Sequence, residues 1–208
     1  MRAFVVALLL YLGMTACQGE ARPPAAPRAE GLAEAVFAGG CFWCTEHDFE
    51  AIPGVAEAIS GYTGGHLQNP SYEDVITETT GHYEAVIVRY DPAKISYGDL
   101  VERFWRMVDP TDAGGQFCDR GPSYATAIFV ADAAQRRTAE ESKRKLKESG
   151  RLKEPVVTPV LPLGVFYPAE DYHQDYSEKN PVRYRLYRTG CGRDRRLQQL
   201  WGAVAANF

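Results

Sequence analysis

The sequence predicts an α+β fold, a ferredoxin-like split βαβ two-layer sandwich with a C-terminal coil covering the core. Three observations predict it. Short apolar or alternating runs mark strands, longer runs with apolar residues at helical spacing mark helices, and the two kinds follow one another as β-α-β-β-α-β before further additions. Residues 35–38 form the first strand. Residues 41–52 form a helix with Phe42, Thr45, Phe49 and Ile52 on one face, stopped by Pro53-Gly54. Residues 55–62 alternate as a second strand, and a polar loop through Gly64-Gly65 and Asn69-Pro70 leads to a third at 82–90, ended by Asp91-Pro92. Ser96 and Asp99 have the spacing of a capping box for a helix reaching Val108, where Asp109-Pro110 breaks it. A strand at 125–130, a helix at 133–149 and a strand at 156–160 complete the regular part. From Phe166 onward, short helical pieces, many tyrosines and Gly190-Cys191-Gly192 read as the covering coil.

The N-terminal stretch has a different composition. Residues 3–13 are an apolar run behind a single Arg2, well short of the ~20 residues that span a bilayer, so residues 1–16 read as a signal peptide. The run ends in Met14-Thr15-Ala16-Cys17, which resembles a bacterial lipobox and makes Cys17 a candidate lipid anchor; the alternative is an ordinary signal peptide cut nearby. Residues 17–32, rich in Pro, Ala and Arg, then form a solvated tether. These features predict an exported, periplasmic, membrane-anchored protein. Residues 33–208 suit one domain, expected to be monomeric. The net charge of −4 and the absence of a basic cluster along one face argue against a nucleic-acid partner.

Four cysteines follow the anchor: Cys41, Cys44, Cys118 and Cys191. A domain this large does not need a disulfide framework, so reactive thiols are the better reading. Cys41 follows Gly39-Gly40 where the first strand turns into the first helix. A thiol at a helix N-terminus meets unpaired N–H groups and the positive end of the dipole, which lowers its pKa from about 8.5 toward roughly 3.5–7.5. Cys41 is therefore the candidate nucleophile, and Cys44 lies one helical turn on. Taken alone, the C-x-x-C motif equally suits half of a metal site or core packing.

Five segments extend the pattern across nearly the whole domain: Gly40-Cys41-Phe42-Trp43, Gly61-Tyr62-Thr63-Gly64-Gly65, Asn69-Pro70-Ser71-Tyr72, residues 80–86 (Thr-Gly-His-Tyr-Glu-Ala-Val) and residues 166–174 (Phe-Tyr-Pro-Ala-Glu-Asp-Tyr-His-Gln). With Asp109-Pro110-Thr111, they resemble the A-type peptide methionine sulfoxide reductases. The resemblance implies a ferredoxin-like core and reduction of the S epimer of methionine sulfoxide, free or in proteins. A thiolate that attacks sulfoxide sulfur drives electrons onto an oxygen that leaves only when protonated, so an acid is required. Glu84 matches the family's catalytic glutamate, Tyr72 and Tyr124 its phenolic donors, and Asp119 its site aspartate, expected to orient substrate or water. Phe42 and Trp43 match the wall that receives the S-methyl group. His82 and His173 are expected to hold loops.

The resemblance further implies a sulfenic acid on Cys41, condensed to a disulfide by a second thiol and recycled by an external dithiol such as thioredoxin, with no bound cofactor or metal. The best-known branch has glycine where this chain has Cys44, so three resolving thiols are candidates, ranked Cys44, Cys191, Cys118. Competing readings are a C-x-x-C soft-metal-binding module, a general disulfide oxidoreductase and a non-enzymatic surface lipoprotein.

Overall fold

The computed structural model describes residues 30–202; the proposed signal peptide, Cys17 and most of the tether lie outside them. The elements run β1 (Ala33–Gly39), α1 (Phe42–Glu50), β2 (Val55–Thr63), α2 (Tyr72–Val75), β3 (Tyr83–Tyr90), α3 (Tyr97–Met107), β4 (Gly115–Gln116), β5 (Asp119–Arg120), a 3₁₀ turn (Pro122–Tyr124), β6 (Thr126–Val130) and α4 (Ala133–Glu148). β7 (Val160–Pro162), β8 (Tyr167–Pro168), α5 (Tyr176–Lys179), α6 (Pro181–Cys191) and α7 (Arg193–Trp201) follow.

The main sheet has the order β7-β6-β1-β3-β2-β8 and is antiparallel except where β7 joins β6. In β1, Ala35 and Phe37 face one side and Val36 and Ala38 the other; in β3, Val86 and Val88 share a side opposite Ala85 and Ile87. The first side carries the larger core, where Phe42 and Phe49 of α1 meet Leu100, Val101 and Phe104 of α3. Phe37 stacks between Phe49 and Phe104 at 4.8 and 5.0 Å. Glu84, two residues before Val86, projects to that helix-covered side.

The expected capping box is present: Ser96 Oγ accepts from Asp99 N–H at 3.1 Å, and the Asp99 carboxylate accepts from Ser96 N–H at 3.2 Å. An unforeseen second box, Ser71 with Asp74, starts α2. The last strand begins at Val160 rather than at 156. Pro155 and Pro159 lack donors, and before that point Val157 N–H bonds to Pro110 O at 2.8 Å instead of to the sheet.

The C-terminal coil expected from the sequence is instead three helices. Pro181 opens α6, and Gly192, at φ +73°, separates it from α7 in a left-handed conformation that suits glycine. Helix α7 buries Leu197 and Trp201, and buried Arg193 donates to Met107 O at 2.8 Å and Gly39 O at 3.2 Å. Among the described residues no helix is long and apolar enough to cross a membrane.

Candidate active site

Cys41 is the N-cap of α1, and its carbonyl accepts from Cys44 N–H and Thr45 N–H at 3.1 and 3.2 Å. Gly40 before it adopts φ +81°, and a Cβ there would lie 2.5 Å from Gln116 Cβ, so the turn that presents the thiol has no room for a side chain. The N–H of Phe42, expected to favour a thiolate, donates instead to Glu84 Oε2 at 3.0 Å.

The acidity expected of Cys41 is overturned by its burial. Burial pushes its thiol well up, reinforced by Cys44 and the Glu84 charge and only partly opposed by Tyr187. Cys44 moves the other way: the hydrogen bond from Cys41 holds it down against burial, with help from Arg193 and Arg188. Within the pair, proton loss is therefore easier from Cys44 than from Cys41. Both thiols are free and buried.

Glu84 is 2 % exposed. Burial pushes its carboxyl up to about 8 although the Phe42 N–H pulls the other way, so it holds a proton near neutrality. Burial first, and next the Glu84 charge, raise the phenols of both Tyr72 and Tyr124. Tyr72 opens α2, where its N–H donates to Glu170 Oε1 at 3.0 Å. Tyr124 closes the 3₁₀ turn, which Glu78 clamps by accepting from Ser123 N–H and Oγ–H at 2.8 and 2.7 Å.

The aromatic wall forms as expected, with a different centre. The ring of His173 lies 4.9 Å from Phe42, 5.7 Å from Trp43 and 4.7 Å from Tyr72, and its Nδ1 accepts the Trp43 indole N–H at 3.0 Å. Trp43 also stacks on Tyr176 at 3.7 Å. His173 thus does more than hold a loop: it fixes the Trp43 indole and packs against Phe42 and Tyr72. His82 does the expected work, with Nδ1 accepting from Gly65 N–H at 3.2 Å and Nε2 2.8 Å from Leu67 O.

Cys118 and Cys191 are bonded to each other across a sequence separation of 73. Asp119, beside Cys118, accepts a hydrogen bond from the Tyr187 hydroxyl, whose ring packs against the cluster of Cys41, Cys44, Tyr176 and Tyr184. Burial raises the Asp119 carboxyl, against Tyr187 and Arg193. Sequence reading missed Tyr187. The spacing of Tyr184, Tyr187 and Cys191 on one helical face was the available signal, hidden while the segment read as coil.

A buried thiol pair, a raised carboxyl bonded to the N–H of the residue after Cys41, and an aromatic cluster around them define a thiol-based oxidoreductase. The comparisons with known proteins agree. The family described as peptide methionine sulfoxide reductase matches residues 33–205. "Peptide methionine sulfoxide reductase MsrA 2" of Caulobacter vibrioides is 56% identical over 199 residues, covering 94% of this chain and 97% of its own. Methionine sulfoxide reductase A of Corynebacterium diphtheriae superposes with TM-score 0.66 at 34% identity, covering 74% of this chain and 77% of its own. The reduced form of Mxr1 from Saccharomyces cerevisiae does so with TM-score 0.70 at 28% identity, covering 75% and 90%. The chain belongs to the peptide methionine sulfoxide reductase family.

Proposed function

We propose that this protein reduces methionine S-sulfoxide, free and within proteins, to methionine at Cys41. The observation that carries the reading is the Glu84 carboxyl, protonated up to about pH 8 and hydrogen-bonded to the N–H of the residue next to Cys41. Cys41 sulfur attacks the sulfoxide sulfur, Glu84 supplies the proton to the oxygen, and Tyr72 and Tyr124 hold that oxygen by their hydroxyls. Phe42 and Trp43, the latter locked by His173, take the S-methyl group. Methionine leaves, and Cys41 is a sulfenic acid.

Cys44 resolves it. Its thiol is held below the ordinary cysteine value, it lies one helical turn from Cys41, and Cys118 and Cys191 are already joined, so either of them could attack only after that bond had opened. An external dithiol of the thioredoxin class then reduces the protein by exchange; no bound cofactor is needed. The central strands β6-β1-β3-β2 with α1 and α3 on one face read as the ferredoxin-like arrangement, extended by β7 and β8 at its edges. We further assign residues 1–16 to a signal peptide, Cys17 to a lipid anchor and the catalytic domain to the periplasmic side as a monomer.

A stereospecific assay with dithiothreitol and then with thioredoxin tests the reading. The S epimer is reduced by wild type and not by Cys41→Ser, and Cys44→Ser loses the thioredoxin-driven rate before Cys191→Ser does. Reduction that survives Cys41→Ser overturns it.

A further inference from the structure

Cys41 must lose a proton before it attacks, and its partner Cys44 is useful as a resolving nucleophile only while ionised. An acceptor for the Cys41 proton lies at the Tyr187–Asp119 pair. The Tyr187 ring packs against the cluster that holds Cys41 and Cys44, its side chain pulls the Cys41 thiol down, and its hydroxyl donates to Asp119 Oδ2, which lines up thiol, phenol and carboxylate.

Its geometry is enforced from both ends. Tyr187 and Cys191 are one turn apart on the same face of α6. They are held by consecutive residues of the β4–β5 hairpin, Cys191 by the bond to Cys118 and Tyr187 by the hydrogen bond to Asp119. The edge of the Trp43 ring, 5.8 Å away at 79°, fixes the phenol from the side. Glu84, Tyr72 and Tyr124, already committed to the sulfoxide oxygen, take no part in this chain.

We propose that Tyr187 is a further catalytic residue, a proton relay through which Asp119 takes the proton of Cys41 before attack and returns it to the sulfenic hydroxyl when Cys44 resolves it. The proposal rests on the function proposed above and adds a second acid–base system to it. In the first step the S–H proton passes to the Tyr187 oxygen while the phenolic proton passes to Asp119 Oδ2; negative charge moves from the carboxylate to the Cys41 sulfur and the total is unchanged. The thiolate attacks, Glu84 gives its proton to the oxygen, and methionine departs. In the second step Cys44 sulfur bonds to Cys41 sulfur, the S–O bond breaks, and the hydroxyl leaves as water with the proton returned through Tyr187 from Asp119. Cys41 and Cys44 are oxidised by two electrons, sulfoxide is reduced by two, the two protons of the water come from Glu84 and Cys41, and Asp119 ends as it began.

The test is the rate at which iodoacetamide alkylates Cys41, site-resolved by tandem mass spectrometry across pH 5–9, together with single-turnover reduction of methionine sulfoxide. Tyr187→Phe keeps the ring against Trp43 and removes only the hydroxyl. We expect Cys41 alkylation at pH 7 to fall roughly tenfold, its pH midpoint to rise by about one unit, and single turnover to slow by a similar factor. Asp119→Asn should do the same, and the double variant no more than either single, because one chain is cut in two places. The charged and titratable groups facing the sulfur from other elements, Cys44 on α1, Glu84 on β3 and Tyr72 on α2, with Arg193 of α7 acting on Cys44 and Asp119, are unchanged in Tyr187→Phe, so the shift is specific. Wild-type alkylation in Tyr187→Phe, or additive losses in the double variant, overturns the relay. Alkylation needs no sulfoxide: a wild type that fails to reduce sulfoxide refutes the function, whereas a wild type that turns over beside an unaffected Tyr187→Phe refutes only the relay.

Discussion

The sheet side, which carries Glu84 and leads into the turn at Cys41, and the C-terminal helices, which carry Tyr187 and Cys191, meet around the start of α1, yet different forces hold them. On the sheet side, Phe37, Phe42, Phe49, Val86 and Val88 are almost wholly buried, and each such side chain contributes about 1.5–3 kcal/mol by leaving water. The C-terminal side is held by polar anchors. Asp48 of α1 pairs with Arg188 at 2.6 Å and lies 3.7 Å from Arg193, Arg196 pairs with Asp109 at 2.8 Å, and one disulfide closes the arrangement. Glu84, the proposed acid, thus sits on the part fixed by packing, while Tyr187, of the proposed relay, sits on the part fixed by charges and a reducible bond.

The largest expected effect tests the packed side. Glu84→Gln preserves its shape, removes the proton, and should lower kcat by roughly 10²–10⁴-fold. In wild type the rate should hold at neutral pH and fall as pH rises through about 8, where Glu84 ionises, and that limb should vanish in the variant. The same group affects stability. Its folded pKa lies above the ordinary carboxylate range, so its contribution is complete below about pH 4.3 and is lost as pH climbs through about 8. Glu46, also raised to about 8 by burial, adds to that decline.

A smaller effect is expected from the polar anchors. Arg193→Ala leaves the buried Asp48 with one cation fewer and the carbonyls of Gly39 and Met107 without their donor; a loss of about 3 kcal/mol and a Tm lower by roughly 10 °C should follow in calorimetry. An unchanged Tm would mean that α7 is held by Leu197 and Trp201 alone, and the contrast between the two sides would weaken. Smaller again, Cys191→Ser should cost about 2–4 kcal/mol in a denaturant titration. It should slow Cys41 alkylation less than Tyr187→Phe does, because the hydrogen bond to Asp119 remains.

The same contrast explains what could be read in the amino acids. Strands β1, β2, β3 and β6 and helices α1, α3 and α4 follow from side-chain periodicity, since packing writes a period of two or of about 3.6 into the chain. Cys41, Tyr72 and Glu84 lie in motifs that the sequence shows directly, whereas Tyr124 is reached only through the family resemblance. The C-terminal helices escaped because their hold on the body runs through Arg188, Arg193 and Arg196, whose partners lie 140, 154 and 87 positions away and leave no local pattern. The ionisation of Cys41 escaped for a related reason: its helix-end N–H groups are visible in the sequence, but the burial that raises its thiol is set by packing and not by neighbours in the chain.

Residues 115–120 tie these parts together. Gln116 fills the space that a side chain at Gly40 would need, Cys118 anchors α6, and Asp119 receives the Tyr187 hydroxyl. One short ribbon therefore sets the backbone turn at the nucleophile, the seat of a distant helix and the placement of a carboxylate. Lengthening or shortening it by a single residue would misalign all three at once, so variation in loop length should be far less tolerated here than in the polar stretch around residue 68.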